Sequence, residues 1–307
     1  MAVFTRGSPG RALAAGALAY AGWKAIQRAR EADISGSVAL ITGGSRGLGF
    51  LIAQELIAAG CSVAICARDD QQLGVAAREL ERGGGRVSAI PCDVTDPDQV
   101  ARMIEAVETG LGPVDLLVNN ASIIQVGPLE SLELNDFHHA MEVNYFGTVN
   151  ATLAVLPSMR RRGAGRIVHI ASIGGKVAIP HLLPYDAAKF AVVGFSEGLR
   201  AETAREGITV TTVVPGLMRT GSPVNAFFKG DAEKEFAWFS LGDATPVSAM
   251  SARRAAREIV AAARRGDAEV TLSWQAKLLR LLRCDELQGY LLGRPQPIGD
   301  FEQQFIA

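Results

Sequence analysis

Ser37-Val38-Ala39-Leu40-Ile41-Thr42-Gly43-Gly44-Ser45-Arg46-Gly47-Leu48-Gly49 decides how this chain folds. Its first half is a short, uncharged apolar run, the pattern of a strand buried on both faces. Its second half is a glycine-rich turn that opens directly into a helical pattern ending near Gly60. A turn of this kind lets the backbone approach a pyrophosphate. The helix N-terminus then offers N–H groups and the positive end of its dipole to the anion. No Gly-Lys-Ser/Thr is present, so a nucleotide-hydrolysing P-loop has no support. A tight turn without ligand is the alternative that this stretch alone leaves open.

The same strand-then-helix texture repeats downstream. Further apolar runs lie at 62–67, 86–91, 114–119, 166–171 and 208–214, with helical stretches at 46–59, 70–82, 96–110, 135–161 and 185–206 between them. Continuous apolar strands alternating with helices predict a parallel sheet covered on both faces, joined by right-handed crossovers. The expected fold is α/β: a single doubly wound, Rossmann-like domain over 36–272 with about seven parallel strands. Residues 1–35 are expected to form a basic and apolar extension, and 273–307 a C-terminal amphipathic helix and tail.

The composition suits a globular enzyme. Of 307 residues, 48% are hydrophobic and 21% charged, and the net charge is -1, which removes the basic excess that a nucleic-acid binder needs. The four cysteines, Cys61, Cys66, Cys92 and Cys284, form no Cys-x-x-Cys pair, so a structural zinc site is not expected and buried free thiols are. No metal-ligand cluster is visible. Residues 1–30 carry Arg6, Arg11, Lys24, Arg28 and Arg30, no acid, and the twelve-residue run ALAAGALAYAGW. That run is shorter than the roughly 20 apolar residues of a membrane span. Three readings stay open: a helix leaning on a membrane, a helix packed on its own protein, and a cleaved targeting peptide. At the other end, Lys277, Arg280 and Arg283 recur among Leu278, Leu279, Leu281 and Leu282. This helix is expected to pack on the domain or a second subunit, with an anionic membrane as the alternative. The expected location is cytoplasmic, with peripheral membrane contact through the N-terminal segment.

The second strand ends at Ala67-Arg68, nineteen residues after Gly49. An acidic residue near that point would bind the ribose 2′-hydroxyl of NAD. Arg68, with Arg46 in the glycine loop, fits a 2′-phosphate instead and favours NADP(H) over NAD(H), which stays possible. The alternative is that one or both arginines point to solvent. Tyr185-Asp186-Ala187-Ala188-Lys189 opens a helix thirteen residues after Ser172. Positions i and i+4 share a helix face, so the Lys189 ammonium is expected beside the Tyr185 hydroxyl, lowering its pKa and making it a usable proton donor and acceptor.

Taken together, Thr42-Gly43-x-x-x-Gly47-x-Gly49, Asn119-Asn120-Ala121-Ser122 and Tyr185-x-x-x-Lys189 resemble the short-chain dehydrogenase/reductase family over roughly 36–272. The resemblance implies an NADPH-dependent reductase of a ketone or aldehyde, or the reverse alcohol oxidation. It implies Tyr185 as proton donor, Ser172 as the hydrogen bond to the substrate oxygen, Lys189 on the nicotinamide ribose, and Asn144 supporting a water of the proton relay. It places Thr42, Gly43, Ser45, Arg46, Gly47, Leu48, Gly49 and Arg68 on the cofactor. Asp93 and Val94 fall at the adenine ring, Asn120 and Ala121 after the fourth strand. Pro215, Gly216 and Thr220 fall at the nicotinamide carboxamide. Ser122 stands where the family has glycine, which costs something if that position needs φ > 0. The resemblance further implies a mobile substrate loop over about 216–248 and a homodimer or homotetramer. Phe227, Phe228, Phe236, Trp238 and Phe239 in that loop fit a lid over a bulky apolar substrate, or else simply pack on the core. His181 is the one histidine placed to reach substrate. An NADP-binding, membrane-associated scaffold or sensor without turnover is the competing reading.

Overall fold

A computed structural model of the chain describes residues 30–216, 218–219, 225–244, 250–273 and 276–278. In chain order the main elements are β1 (Val38–Thr42), α1 (Gly47–Ala58), β2 (Ser62–Ala67), α2 (Asp70–Arg82), β3 (Val87–Pro91), α3 (Pro97–Gly110), β4 (Leu116–Asn119), α4 (Leu134–Ala140), α5 (Gly147–Arg162), β5 (Gly165–Ile170), α6 (Leu183–Thr203), β6 (Ile208–Val214), α7 (Ala232–Ala244), α8 (Ala252–Arg265) and β7 (Glu269–Thr271). The seven strands form one parallel sheet in the order β3-β2-β1-β4-β5-β6-β7. This is the α/β Rossmann-like architecture, and the order reverses between β1 and β4, where such sheets open a crevice at their carboxyl ends.

β1 is buried along its whole length because its alternate side chains enter two layers. Ala39 and Ile41 cluster with Ile52 and Leu56 of α1 and Ala255 and Ile259 of α8. Val38 and Leu40 cluster with Met103 and Val107 of α3 and Val155 and Met159 of α5. Burying both faces leaves no polar alternation along the strand, which is why β1 reads as one apolar run. β3 is only partly covered, because it is the sheet edge, where a terminal Pro91 removes no ladder bond.

Local chemistry sets the helix ends. The Asp69 side chain accepts from the Gln72 N–H to cap α2, and Asp96 caps α3 ahead of Pro97. The helix expected over 135–161 is three pieces. A π-helical segment, Met141–Phe146, lies between α4 and α5. Such widened turns often sit at functional sites, and Asn144 lies on this one.

The segment expected as a mobile loop holds regular structure. Phe227–Phe228 pairs with Gln125–Val126, Met218–Arg219 pairs with Met250–Ser251, and α7 follows. Its own aromatics account for this: the Phe228 ring meets Phe236 at 5.6 Å and Phe239 at 6.3 Å. At the start of the domain, Glu31 pairs with Arg264 at 3.0 Å and Ile34 enters the core. Among the described residues no helix is long and apolar enough to cross a membrane. The basic segment 1–29, Thr220, Cys284 and most of the C-terminal helix lie outside the described residues.

Candidate active site

The carboxyl ends of β1, β4 and β5 meet at one cleft of about 730 Å³. The glycine turn forms its central wall. Gly43 has φ +65, and a Cβ there would press on the backbone of Ala121. A Cβ on Gly49 would fall onto the Gly43 carbonyl, so only glycine lets turn and helix close this tightly. Asn120 locks the turn to β4: its Nδ2 donates to the carbonyls of Thr42 (3.1 Å) and Gly43 (3.0 Å). The Thr42 Oγ1 in return accepts from the Asn120 and Ala121 N–H groups at 3.0 and 3.1 Å.

Gly43, Ser45, Arg46, Gly47, Leu48, Arg68, Asp93, Val94, Asn120, Ala121, Ser172, Tyr185, Lys189, Pro215 and Gly216 all line this one cleft. Thr42 and Gly49 stand behind it as supports. Arg46 Nη1 reaches Gln72 Oε1 at 3.4 Å, which brings the arginine of the glycine loop to the start of α2, and Arg68 lines the same cleft. Asp69 also lines the cleft, but its carboxylate is engaged in capping α2. The Asp93 carboxylate accepts from the Thr95 N–H and hydroxyl at 3.0 and 2.8 Å, so it shapes its own turn.

At the other end, Ser172 follows β5 and caps a short 3-10 turn, its Oγ accepting from the Gly174 N–H at 3.1 Å. Ser172 and the Tyr185 phenol both line the cleft, and the Ser172 hydroxyl favours the ionised phenol. Lys189, one helical turn on, lies with Nζ 5.6 Å from the Tyr185 ring centroid and donates to the Ile170 carbonyl at 2.9 Å. The expected lowering of the Tyr185 pKa is reversed. Burial pushes it up to about 12, with Ser172 pulling against that shift. Burial also brings Lys189 down to about 7. Both effects follow from taking charge out of water, and Lys189 spends its proton on a backbone carbonyl instead of on the phenol.

Asn144 is fully buried and does not open on the cleft. Its Oδ1 accepts from the Ser122 hydroxyl (2.9 Å) and the Ile123 N–H (2.8 Å), and its Nδ2 donates to the Ile123 carbonyl. It therefore braces the segment after β4 from beneath. Ser122 carries no strain: the non-glycine residues with positive φ among the described residues are His181 and Ser273. Its hydroxyl is used in holding Asn144.

His181 is turned toward the loop helix. Its Nδ1 lies 2.7 Å from Glu235 Oε2, and its ring meets Trp238 at 5.3 Å. Phe227 and Phe239 line the cleft, while Phe236 stays exposed. Nothing in the sequence singles out Ile124, Ile179, Leu182 and Asn225, which line the same end. Aliphatic side chains in a loop carry no chemical signature, and only the closing of the chain around Tyr185 identifies them.

The family model for short chain dehydrogenase matches residues 37–227. A dehydrogenase/reductase SDR family protein 7-like of Anopheles gambiae is 36% identical over 245 residues, covering 78% of this chain and 76% of that protein. A putative ketoacyl reductase of Streptomyces coelicolor is 40% identical over 185 residues, covering 60% and 71%. Among solved structures, an actinorhodin polyketide ketoreductase variant with NADPH matches with a TM-score of 0.69 at 32% identity, covering 79% of this chain and 97% of that one.

Proposed function

The chain belongs to the short-chain dehydrogenase family, whose members are NAD(P)-dependent oxidoreductases, and we propose that it reduces a bulky, apolar ketone or aldehyde with NADPH, or runs the reverse reaction. One observation carries the reading: Ser172, Tyr185 and Lys189 converge at the end of the cleft that Ile124, Ile179, Leu182, Phe227 and Phe239 make apolar. The likeness to ketoacyl reductases supports a carbonyl as the reacting group.

The glycine turn, with its tight backbone and the N-terminus of α1, fits a pyrophosphate. Arg46 and Arg68 line the cleft where a 2′-phosphate would lie, and the neighbouring Asp69 commits one carboxylate oxygen to capping α2. That arrangement supports NADP(H) over NAD(H). Gly43, Ser45, Gly47, Leu48, Asp93, Val94, Asn120, Ala121, Pro215 and Gly216 would line the cofactor, with Thr42 and Gly49 supporting the turn.

When bound, the nicotinamide supplies the hydride. Tyr185, pushed up to about 12, keeps its proton at neutral pH and so is a ready donor to a carbonyl oxygen that gains negative charge. Ser172 adds a second hydrogen bond to the same oxygen, where it is strongest in a dry site. Lys189 lies one helical turn after Tyr185 and lines the same cleft, where it would hold the nicotinamide ribose. Asn144 and Ser122 hold the wall on which the ring would rest. Apolar side chains exclude water and give the substrate end its preference for hydrocarbon.

Phe146 and Leu153, seven positions apart, and Phe190 on α6 are exposed large apolar side chains. They support the expected homodimer or homotetramer, which light scattering measures. The functional reading is tested by following NADPH absorbance against a panel of hydrophobic ketones and aldehydes. Turnover that rises with the apolar size of the substrate supports it; inertness toward the whole panel refutes it.

A further inference from the structure

Asp186 is a carboxylate that the reaction chemistry leaves unused. It lies in the first turn of α6, directly after Tyr185, and is 2% exposed. One oxygen, Oδ2, accepts from the Ile179 N–H at 2.5 Å. The other, Oδ1, is buried with no hydrogen-bond partner among the described residues. It fills the space that a Cβ on Gly174 would need, so any side chain there would collide with it. Gly174 is the residue whose N–H holds the Ser172 hydroxyl. The carboxylate thus meets the segment after Ser172 at two points, Gly174 and Ile179, and directly follows Tyr185 in the chain.

Ten residues lie between Ser172 and α6 in the chain, and nothing in a loop of that length by itself fixes the Ser172 hydroxyl relative to the Tyr185 phenol. A buried polar group left half unsatisfied is costly, so its presence here needs a compensating reason. We propose that Asp186 is a positioning residue: Oδ2 ties the loop at Ile179, Oδ1 wedges Gly174, and the Ser172 hydroxyl is thereby set against the Tyr185 phenol. This rests on reading Ser172 and Tyr185 as the reacting pair.

The test is steady-state kinetics on the full chain with NADPH and a ketone found active in the panel, together with NADPH titration by fluorescence and thermal melts. The variants are Asp186→Ala, Asp186→Asn, Gly174→Ala and the double variant that combines Gly174→Ala with Asp186→Ala. Asp186→Ala should lower kcat roughly 10- to 100-fold, the range set by small misplacements of reacting groups, with NADPH affinity kept. Asp186→Asn should recover most of that loss, because it keeps both the shape and an acceptor for the Ile179 N–H. Gly174→Ala should cost kcat in the wild type and much less beside Asp186→Ala, where the methyl finds room, a coupling expected only of groups in contact. If Asp186→Ala does not fold, Asp186→Ser takes its place in the cycle.

An unchanged kcat in Asp186→Ala, an Asp186→Asn as slow as Asp186→Ala, or an equal cost of Gly174→Ala in both backgrounds overturns the proposal. A wild type that binds NADPH yet reduces no carbonyl overturns the functional reading beneath it. An active wild type indifferent to Asp186→Ala overturns this inference alone.

Discussion

Replacing Asp186 by asparagine should change the shape of the stability–pH curve, not only its height. Burial pushes the Asp186 carboxyl up to about 7, with the Ile179 N–H pulling weakly the other way. In the unfolded chain the same group titrates near 3.9. Between these values the folded protein keeps a proton that the unfolded chain has released. Stability therefore falls as pH rises from about 4 to about 7 and levels off above. Three units at about 1.4 kcal/mol each put the fall at about 4 kcal/mol.

His169 works in the opposite sense. Burial holds it down to about 3, far below its free value of 6.5. The folded protein keeps it neutral while the unfolded chain takes up a proton on acidification, so stability is lost as pH falls from about 6.5 to about 3. The wild-type curve sums both trends, which oppose each other over pH 4 to 6.5. The difference between Asp186→Asn and wild type removes His169 and isolates Asp186, since asparagine cannot ionise. Measured by urea denaturation between pH 4 and 8, that difference should move in favour of the variant by about 4 kcal/mol. For a domain of this size this corresponds to roughly 10 °C in relative Tm. A difference that stays flat within about 1 kcal/mol across the range would falsify the buried, proton-holding carboxyl.

Three further outcomes are expected. Tyr185→Phe removes the proton donor but keeps the ring, so kcat should drop about 10²–10⁴-fold with NADPH binding retained; near-normal turnover refutes the role. Arg68→Ala and Arg46→Ala should each weaken NADPH about ten- to a hundredfold, the worth of a hydrogen bond to a charged group, while leaving NADH nearly unchanged by calorimetry; equal losses for both cofactors refute the 2′-phosphate assignment. His181→Ala breaks the contact to Glu235 and the ring contact with Trp238, so KM for a bulky ketone should rise while Tyr185-dependent kcat holds; a fall in kcat with KM unchanged assigns the histidine to the chemistry instead.

Much of this architecture is legible in the sequence because it rests on local rules. A strand buried on both faces is mostly apolar, so β1 and β2 announce themselves. Gly43 and Gly49 are forced by close backbone approach, and Tyr185 and Lys189 share a face because the helix has 3.6 residues per turn. These are properties of short stretches, and short stretches are what a sequence displays.

The rest belongs to contacts between distant segments. The helix pattern at 135–161 has no mark of the π turn, from which Asn144 bonds Ser122 and Ile123 after β4. The segment after β6 reads as a mobile loop, yet its phenylalanines cluster and Phe227–Phe228 pairs with Gln125–Val126. The i, i+4 spacing of Tyr185 and Lys189 predicts charge next to phenol, whereas the fold buries Lys189, half-buries Tyr185 and sends the ammonium to the Ile170 carbonyl. A pKa is set by solvent access and by neighbours from every direction, and sequence spacing supplies only one of those directions. Local pattern thus suffices for the sheet, the glycine turn and the identity of the residues able to react. Which of them face the cleft, which stand behind it and which hold their protons depends on segments far apart in the chain, brought together only by packing.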